Sequence, residues 1–430
     1  MAALKDGLFT LLASCYNHDA FPLRRSSLES CMKRYWVLAL VAAFTALSAC
    51  VPQGHTPPPA EAPGQPAAYP EINLVKKVAI TTDTEGGSAR PEIVATTDRV
   101  FVVYLGNISN GGDRFFGLKI FDRELSYTIA SKTLVPTTSQ YGGPTDIRVA
   151  SDGQYLYAFY ETHKPISPKN ASTYLWGVKY TLDDNFERVA YTAVPIVSSK
   201  PMAELEDGGE LLDDPAPLVG PDSIFVITRL KYPLTIAGKT IYRVREFDKG
   251  LRQVRRQFDL DLSSVADGRG RVNSLLFHDS TIYIALATTV SSQGVMESND
   301  DGALSDIILV RLRADWTLDP QRGAQPLSAE PSDRENYVSG FDSDGNAFYI
   351  AYKQSVGSPP AGEQRAWIKV YDKDFNIIQT EMVKTTIWGP SGGGIRPSLE
   401  VSGNRVFSGQ SSREGIGQGN AEVYVYEIVE

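Results

Sequence analysis

Arg90, Asp146, Asp214 and Arg396 each stand eleven residues before an aromatic residue in a recurring apolar run. Asn273 and Asn336 lie one or two positions off the same register, and Tyr337 follows directly. If the recurring units close into a ring, these residues surround one opening. Two arginines from adjacent units can clamp a carboxylate, sulfate or phosphate bidentately. Two aspartates from adjacent units can serve as the acid pair of glycoside hydrolysis if they stand about 5–9.5 Å apart. The competing reading is an ion-pair ring, Arg90 with Asp146 and Arg396 beside it, that only holds the units together.

Other chemistry is scarce. The three cysteines, Cys15, Cys31 and Cys50, all precede the repeating part, which therefore has neither a cysteine nucleophile nor a cysteine zinc site. His163 and His278 fall in different units, and no G-x-S-x-G or HExxH motif occurs. Asp122, Asp248 and Asp372 open tight turns, where an aspartate ordinarily accepts a backbone hydrogen bond two residues on. The acidic stretches 204–214 and 297–306 lack EF-hand spacing and read as solvated loops. No cofactor is expected, beyond weak Ca²⁺ binding by those loops.

The elements that position these groups are strands. Six runs, RVFVVY, YLYAFY, SIFVIT, TIYIAL, AFYIAY and RVFSGQ, each follow a polar turn and carry an aromatic in register. These anchors are Phe101, Tyr157, Phe225, Tyr283, Tyr349 and Phe407, spaced 56 to 68 residues apart. Runs apolar on both alternating faces are strands covered on both sides. About 12–20 residues later comes a further strand with one basic residue, Lys119, Lys179, Arg245, Arg311 or Lys369. A lone charge among apolar neighbours suits a more peripheral place in the sheet. Each unit reads as four strands, and six four-stranded sheets around an axis make an all-β, six-bladed propeller over residues 71–430. A pair of β-sandwiches is the alternative.

The sixth unit has only three strands before Glu430. The segment NLVKKVAITTDTEGGSARPEIVATTD parallels NIIQTEMVKTTIWGPSGGGIRPSLEVSG, so the N-terminal strand is expected to complete the last blade. That pairing covers an edge otherwise left open. Connections on one face of the ring are short, whereas those on the other are long and irregular, including 162–173, 195–212, 287–305 and 384–395. Binding surfaces tend to form from long loops on a rigid scaffold, which directs attention to the long-loop face.

Upstream, MKRYWVLALVAAFTALSAC (32–50) has a basic start and an apolar run too short to span a bilayer. Its end, Leu47-Ser48-Ala49-Cys50, resembles the lipobox of bacterial lipoproteins. The resemblance implies a signal peptide over 32–49, acylation of Cys50, and a membrane-lipid partner. Residues 50–70 are Pro-rich and read as a tether, and 1–31 as a mis-assigned or discarded extension. Val51, rather than aspartate, after the cysteine implies, by the same resemblance, the outer membrane of a Gram-negative cell envelope.

Residues 51–430 hold 37 basic and 48 acidic residues without a basic cluster, which excludes nucleic acid as a partner. The leading expectation is a non-catalytic scaffold presenting its long-loop face to an envelope protein or a glycan. The alternative is a glycan-active hydrolase at the channel mouth. A six-bladed propeller with Arg90-Pro91, Arg396-Pro397, a tyrosine and carboxylates is faintly similar to sialidases, although the S-x-D-x-G-x-T-W box of that family is absent.

Overall fold

The computed structural model describes residues 70–81, 91–107, 114–135, 144–167, 170–198, 209–231, 241–265, 271–287, 307–327, 337–356, 363–387, 397–413 and 419–429. The described elements are all strands, in six four-stranded antiparallel sheets. Blade 1 is β2 (Glu92–Ala95), β3 (Arg99–Asn107), β4 (Arg114–Asp122) and β5 (Thr128–Val135). Blade 2 is β6 (Pro144–Ser151), β7 (Tyr155–Ser167), β8 (Asn170–Thr181) and β9 (Arg188–Ser198). Blade 3 is β10 (Gly209–Val219), β11 (Ser223–Lys231), β12 (Ile241–Asp248) and β13 (Val254–Asp261). Blade 4 is β14 (Arg271–His278), β15 (Thr281–Ala287), β16 (Ile307–Arg313) and the short β17 (Ala324–Pro326). Blade 5 is β18 (Tyr337–Ser343), β19 (Phe348–Val356), β20 (Glu363–Tyr371) and β21 (Ile377–Ile387). Blade 6 is β22 (Ser398–Ser402), β23 (Arg405–Arg413) and β24 (Gly419–Val429), completed by β1 (Glu71–Ala79).

The first strand of every blade packs against the first strands of both neighbouring blades, including β22 against β2. That arrangement is a closed six-bladed β-propeller with β2, β6, β10, β14, β18 and β22 around the axis. Closure follows the expectation: β1 runs antiparallel to β24, from Glu71 opposite Val429 to Ala79 opposite Glu422, with a bulge between Leu74 and Lys76.

The core is divided into six apolar clusters, one in each seam between blades. The anchor aromatics distribute themselves evenly among these clusters. Phe101 packs in seam 1–2, Tyr157 in 2–3, Phe225 in 3–4, Tyr283 in 4–5, Tyr349 in 5–6 and Phe407 in 6–1. A sheet apolar on both faces must be covered twice, and the ring meets that demand without an exposed terminal blade.

The turns between third and fourth strands use a repeated plug. Leu125, Phe186, Leu251, Trp316 and Phe375 all have positive φ, from 44° to 71°, and all are buried. Each backbone N–H closes the turn on the carbonyl three residues before, at 2.8–3.2 Å. A left-handed L-residue costs about 1–2 kcal/mol, whereas burying a large apolar side chain contributes about 1.5–3 kcal/mol. The burial outweighs the strain. Blade 6 has no such turn, because its fourth strand comes from the other end of the chain.

The strands with a lone basic residue take the expected more peripheral place, third from the axis, and Arg245, Arg311 and Lys369 are nonetheless buried there. Arg245 donates to Thr228 Oγ1 at 3.3 Å, Arg311 to Gln325 Oε1 at 2.9 Å, and Lys369 lies over the Tyr352 ring. Lys119 and Lys179 donate to the backbone carbonyls of Ile80 and Lys249 in adjacent blades. Charge in the third strand therefore ties the sheet to its surroundings. Within the segment expected as a loop, residues 162–167 end β7 and residues 170–173 start β8, paired as a hairpin, and 168–169 lie outside the described residues. Likewise, 209–214 of the first acidic stretch belongs to β10, whereas 204–208 and 297–306 lie outside the described residues.

Candidate functional site

At the long-loop face, where the innermost strands begin, four successive blades break their register. In β6 the pairing slips between Thr145 and Arg148, so that Asp146 and Ile147 stand opposite Tyr160 alone. In β10 it slips between Leu211 and Ala216, a stretch that contains Asp214. In β14 the extra residue is Asn273, and in β18 it is Ser339. A bulge re-aims side chains and ends regular pairing, and bulges are enriched beside active sites. The described strands β2 (from Glu92) and β22 (from Ser398) begin after the equivalent positions in blades 1 and 6.

The backbone thus sets Asp146, Asp214 and Asn273 on bulges at one end of three adjacent innermost strands. Tyr337 opens β18 and pairs with Lys353, so the irregular position of blade 5 belongs to Ser339. The structure describes these four predicted residues through their backbone only. Arg90, Asn336 and Arg396 lie outside the described residues, as does Cys50.

Two residues further along the same strands, Glu92 of blade 1 and Arg148 of blade 2 form a buried ion pair at 2.8 Å. The inter-blade ion pair foreseen for Arg90 and Asp146 therefore has a counterpart in the same two blades, made by residues that the sequence reading passed over.

A second polar group, also passed over, sits at the other end of the innermost strands. Seven residues before each anchor aromatic stand Val94, Ala150, Leu218, Leu276, Asp342 and Glu400. Four blades fill this position with an apolar side chain and blades 5 and 6 with a carboxylate. Asp342 Oδ2 accepts the Val401 N–H of blade 6 at 2.6 Å, and its Oδ1 accepts the Ser343 N–H at 2.8 Å. Glu400 Oε1 accepts the Ala95 N–H of blade 1 at 3.2 Å. Each carboxylate thus reaches the innermost strand of the next blade around the ring.

Burial is the main cause that pushes Asp342 up to about 6. Glu400 is raised well above the usual carboxylate range, first by burial and then by the charge of Asp342. The backbone donors oppose both shifts. Arg123, from the β4–β5 turn, enters the seam between blades 6 and 1, donates to Thr96 O and Ser402 O, and lies 5.0 Å over the Phe407 ring. Burial and the nearby Arg405 lower its affinity for its proton. The signal that finds this pair in the sequence is the constant offset of seven from each anchor.

The turn aspartates are structural. Asp122 Oδ1 accepts Ser126 N–H at 2.6 Å and Tyr127 N–H at 3.0 Å, and Asp248 Oδ1 accepts Arg252 N–H at 2.8 Å. At Asp122 and Asp248 the reach thus extends to four or five residues, whereas Asp372 accepts from Asp374, two residues on as expected, and from Asn376. Among the described residues, no group of three or more His, Cys, Asp or Glu side chains could hold a metal ion.

No family model and no curated protein matches the chain. Solved structures do match it. A protein of unknown function from Dyadobacter fermentans aligns with a TM-score of 0.53 at 10% identity, covering 83% of this chain and 99% of the other. An α-L-arabinofuranosidase from Fusarium graminearum, solved with an iminosugar inhibitor, gives 0.51 at 9% identity, covering 81% and 97%. A Penicillium chrysogenum α-L-arabinanase, solved with arabinobiose, gives 0.51 at 11% identity, covering 83% and 98%. At such identities the likeness establishes the propeller fold.

The expectation of a non-catalytic scaffold is corrected at this point. It rested on the absence of a visible catalytic set, yet two of these similar propellers are glycan-cleaving enzymes.

Proposed function

We propose that this chain is a glycan-active hydrolase working at the long-loop mouth of the propeller channel. The observation that carries the reading is the run of bulges in adjacent innermost strands that bear Asp146 and Asp214. Hydrolysis of a glycosidic bond needs one carboxyl group to protonate the leaving oxygen and a second to act as nucleophile or as base for water. Asp146 and Asp214 take these two roles. Arg90 and Arg396, from blades 1 and 6, bind the hydroxyl-rich or acidic part of the substrate, with Asn273, Asn336 and Tyr337 completing the rim. The names of the similar propellers support an arabinose-containing glycan as the substrate class.

The test is release of reducing ends from linear arabinan and a panel of acidic and neutral polysaccharides by the full protein. Asp146→Asn and Asp214→Asn are each expected to lower kcat by about 10²–10⁴-fold while leaving the melting temperature in place. A folded wild-type protein that releases nothing from the panel, or two variants as active as wild type, would refute the reading.

The same reading sets the enzyme at the cell envelope, with acylated Cys50 in the outer membrane and residues 50–70 as tether. Its support is the lipobox-like Leu47-Ser48-Ala49-Cys50. The mass of the native N-terminal peptide decides: an acylated Cys50 is expected, and a peptide from residues 1–31 would overturn it.

A further inference from the structure

We propose that the rim of the short-turn face along blades 5, 6, 1 and 2 rests on a zwitterionic lipid surface, so that the long-loop mouth faces away from the membrane. The inference rests on the acylation of Cys50 proposed above and adds to it a contact surface and an orientation.

The first observation is where the chain enters the ring. β1 begins at Glu71 opposite Val429, and the neighbouring Ile428 N–H donates to Asn404 O in the turn between β22 and β23. Lys76 of β1 donates to Glu124 O and Leu125 O in the β4–β5 turn. Both turns belong to the short-turn face, so the tether of residues 50–70 leads to that face and not to the mouth. Fully extended, a segment of this length spans about 70 Å. It therefore permits contact with the membrane without enforcing it.

The second observation is what the rim exposes around that entry. Leu74 and Val75 of β1, Tyr127 just before β5, Val189 and Tyr191 of β9, and Ile377 of β21 are 47–62% exposed. All of them sit at the short-turn end of an outermost strand. Among the described residues, blades 3 and 4 expose no large apolar side chain. There β13 turns Arg255, Arg256 and Gln257 outward, and β17 turns out Ala324 and Pro326. The outermost strand has the same place in every blade, so its exposure alone does not explain the difference. The apolar arc lies on the side of the ring where the chain enters.

The chemistry of the arc fits a lipid boundary. Tyrosine places an apolar ring and a polar tip at the headgroup level. Arg188 lies 5.4 Å over the Tyr191 ring, and a guanidinium there matches a headgroup phosphate. Separate apolar contacts suffice, because acyl chains on Cys50 hold the propeller at high local concentration. The acidic excess of residues 51–430 disfavours an anionic surface, which selects zwitterionic lipid.

The folded part has no cysteine, so single cysteines can carry a fluorophore in the full acylated protein with Cys15→Ser and Cys31→Ser. Ile377→Cys and Val189→Cys probe the arc. Arg255→Cys probes the rim of blade 3, and Thr385→Cys lies about 26 Å further along β21 toward the mouth. In phosphatidylcholine vesicles with a lipid-borne quencher, the labels at 377 and 189 are expected to lose fluorescence and those at 255 and 385 to keep it. Adding Leu74→Glu and Tyr191→Glu, both at exposed positions, is expected to restore the first two. Equal quenching at all four sites, or none on the arc, would overturn the proposal. Shielding of the arc labels without vesicles, with a doubled mass, would assign the arc to a second copy and overturn it as well. The mass of the N-terminal peptide separates this proposal from the anchor. Acylated Cys50 with unquenched arc labels refutes the surface alone, whereas quenched arc labels with unmodified Cys50 uphold the surface and refute the anchor.

Discussion

The seam between blades 3 and 4 and the two seams that flank blade 6 share an apolar core, but blade 6 adds buried polar pairing to it. In seam 3–4, Leu218, Ile284, Leu312 and Trp316 form an apolar cluster, and the second strands of blades 3 and 4 read IFVIT and IYIAL. In blade 6 the equivalent run is VFSGQ, and Ser408 and Gln410 are buried and bonded to each other at 2.8 Å. Seam 5–6 adds Lys384, which meets Glu422 at 2.6 Å, with Lys77 on the other oxygen at 3.0 Å. Ionic pairing lowers the Glu422 proton affinity against the opposing effect of burial.

The difference follows how the seams are assembled. Blades 3 and 4 are continuous in sequence, so apolar packing, which is non-directional, suffices to seat one on the other. Blade 6 joins strands from both ends of the chain, and its neighbours must be found across some 300 residues. A buried hydrogen bond is forfeited outright when register slips, at about 1–3 kcal/mol per orphaned group. The polar seams therefore specify partner and register where chain continuity cannot.

The comparison can be broken at its strongest point by removing β1. Deleting residues 71–83 is expected to abolish the monomeric fold, because the β24 edge and the polar groups of seams 5–6 and 6–1 lose their partners together. Size-exclusion chromatography with thermal unfolding checks this, and a cooperative monomer after the deletion would mean that closure is dispensable. The apolar seam is expected to yield by degrees. Trp316→Ala should cost about 3–5 kcal/mol in denaturant unfolding and leave a folded ring. Trp316→Phe should cost less, since it removes a buried indole N–H that has no partner among the described residues. If Trp316→Ala unfolds the protein outright, the two kinds of seam do not differ in tolerance.

Much of this was legible in the sequence. The anchor aromatics announce six blades because every seam needs one large ring at the same height. The parallel between NLVKKVAITT and NIIQTEMVKTT announces closure because both are the fourth strand of a blade. Asp146 and Asp214 stood out because they lie eleven residues before an anchor aromatic, and Asn273 because it lies one position off that register. The bulges beneath them did not, since a register slip exists only relative to the partner strand. Asp342 and Glu400 hid inside strands, where one charge among apolar neighbours resembles the third-strand residues Arg245 and Lys369.

The sequence by itself determined the repeat, the alternation of faces and the strand that shuts the ring, because these follow from local periodicity and composition. Only the tertiary structure decided which buried charges meet. Glu92 finds Arg148 across 56 residues, and Asp342 and Glu400, 58 residues apart, share one electrostatic environment. Their proton affinities are properties of burial and of a neighbour's charge, and neither exists until the blades have closed.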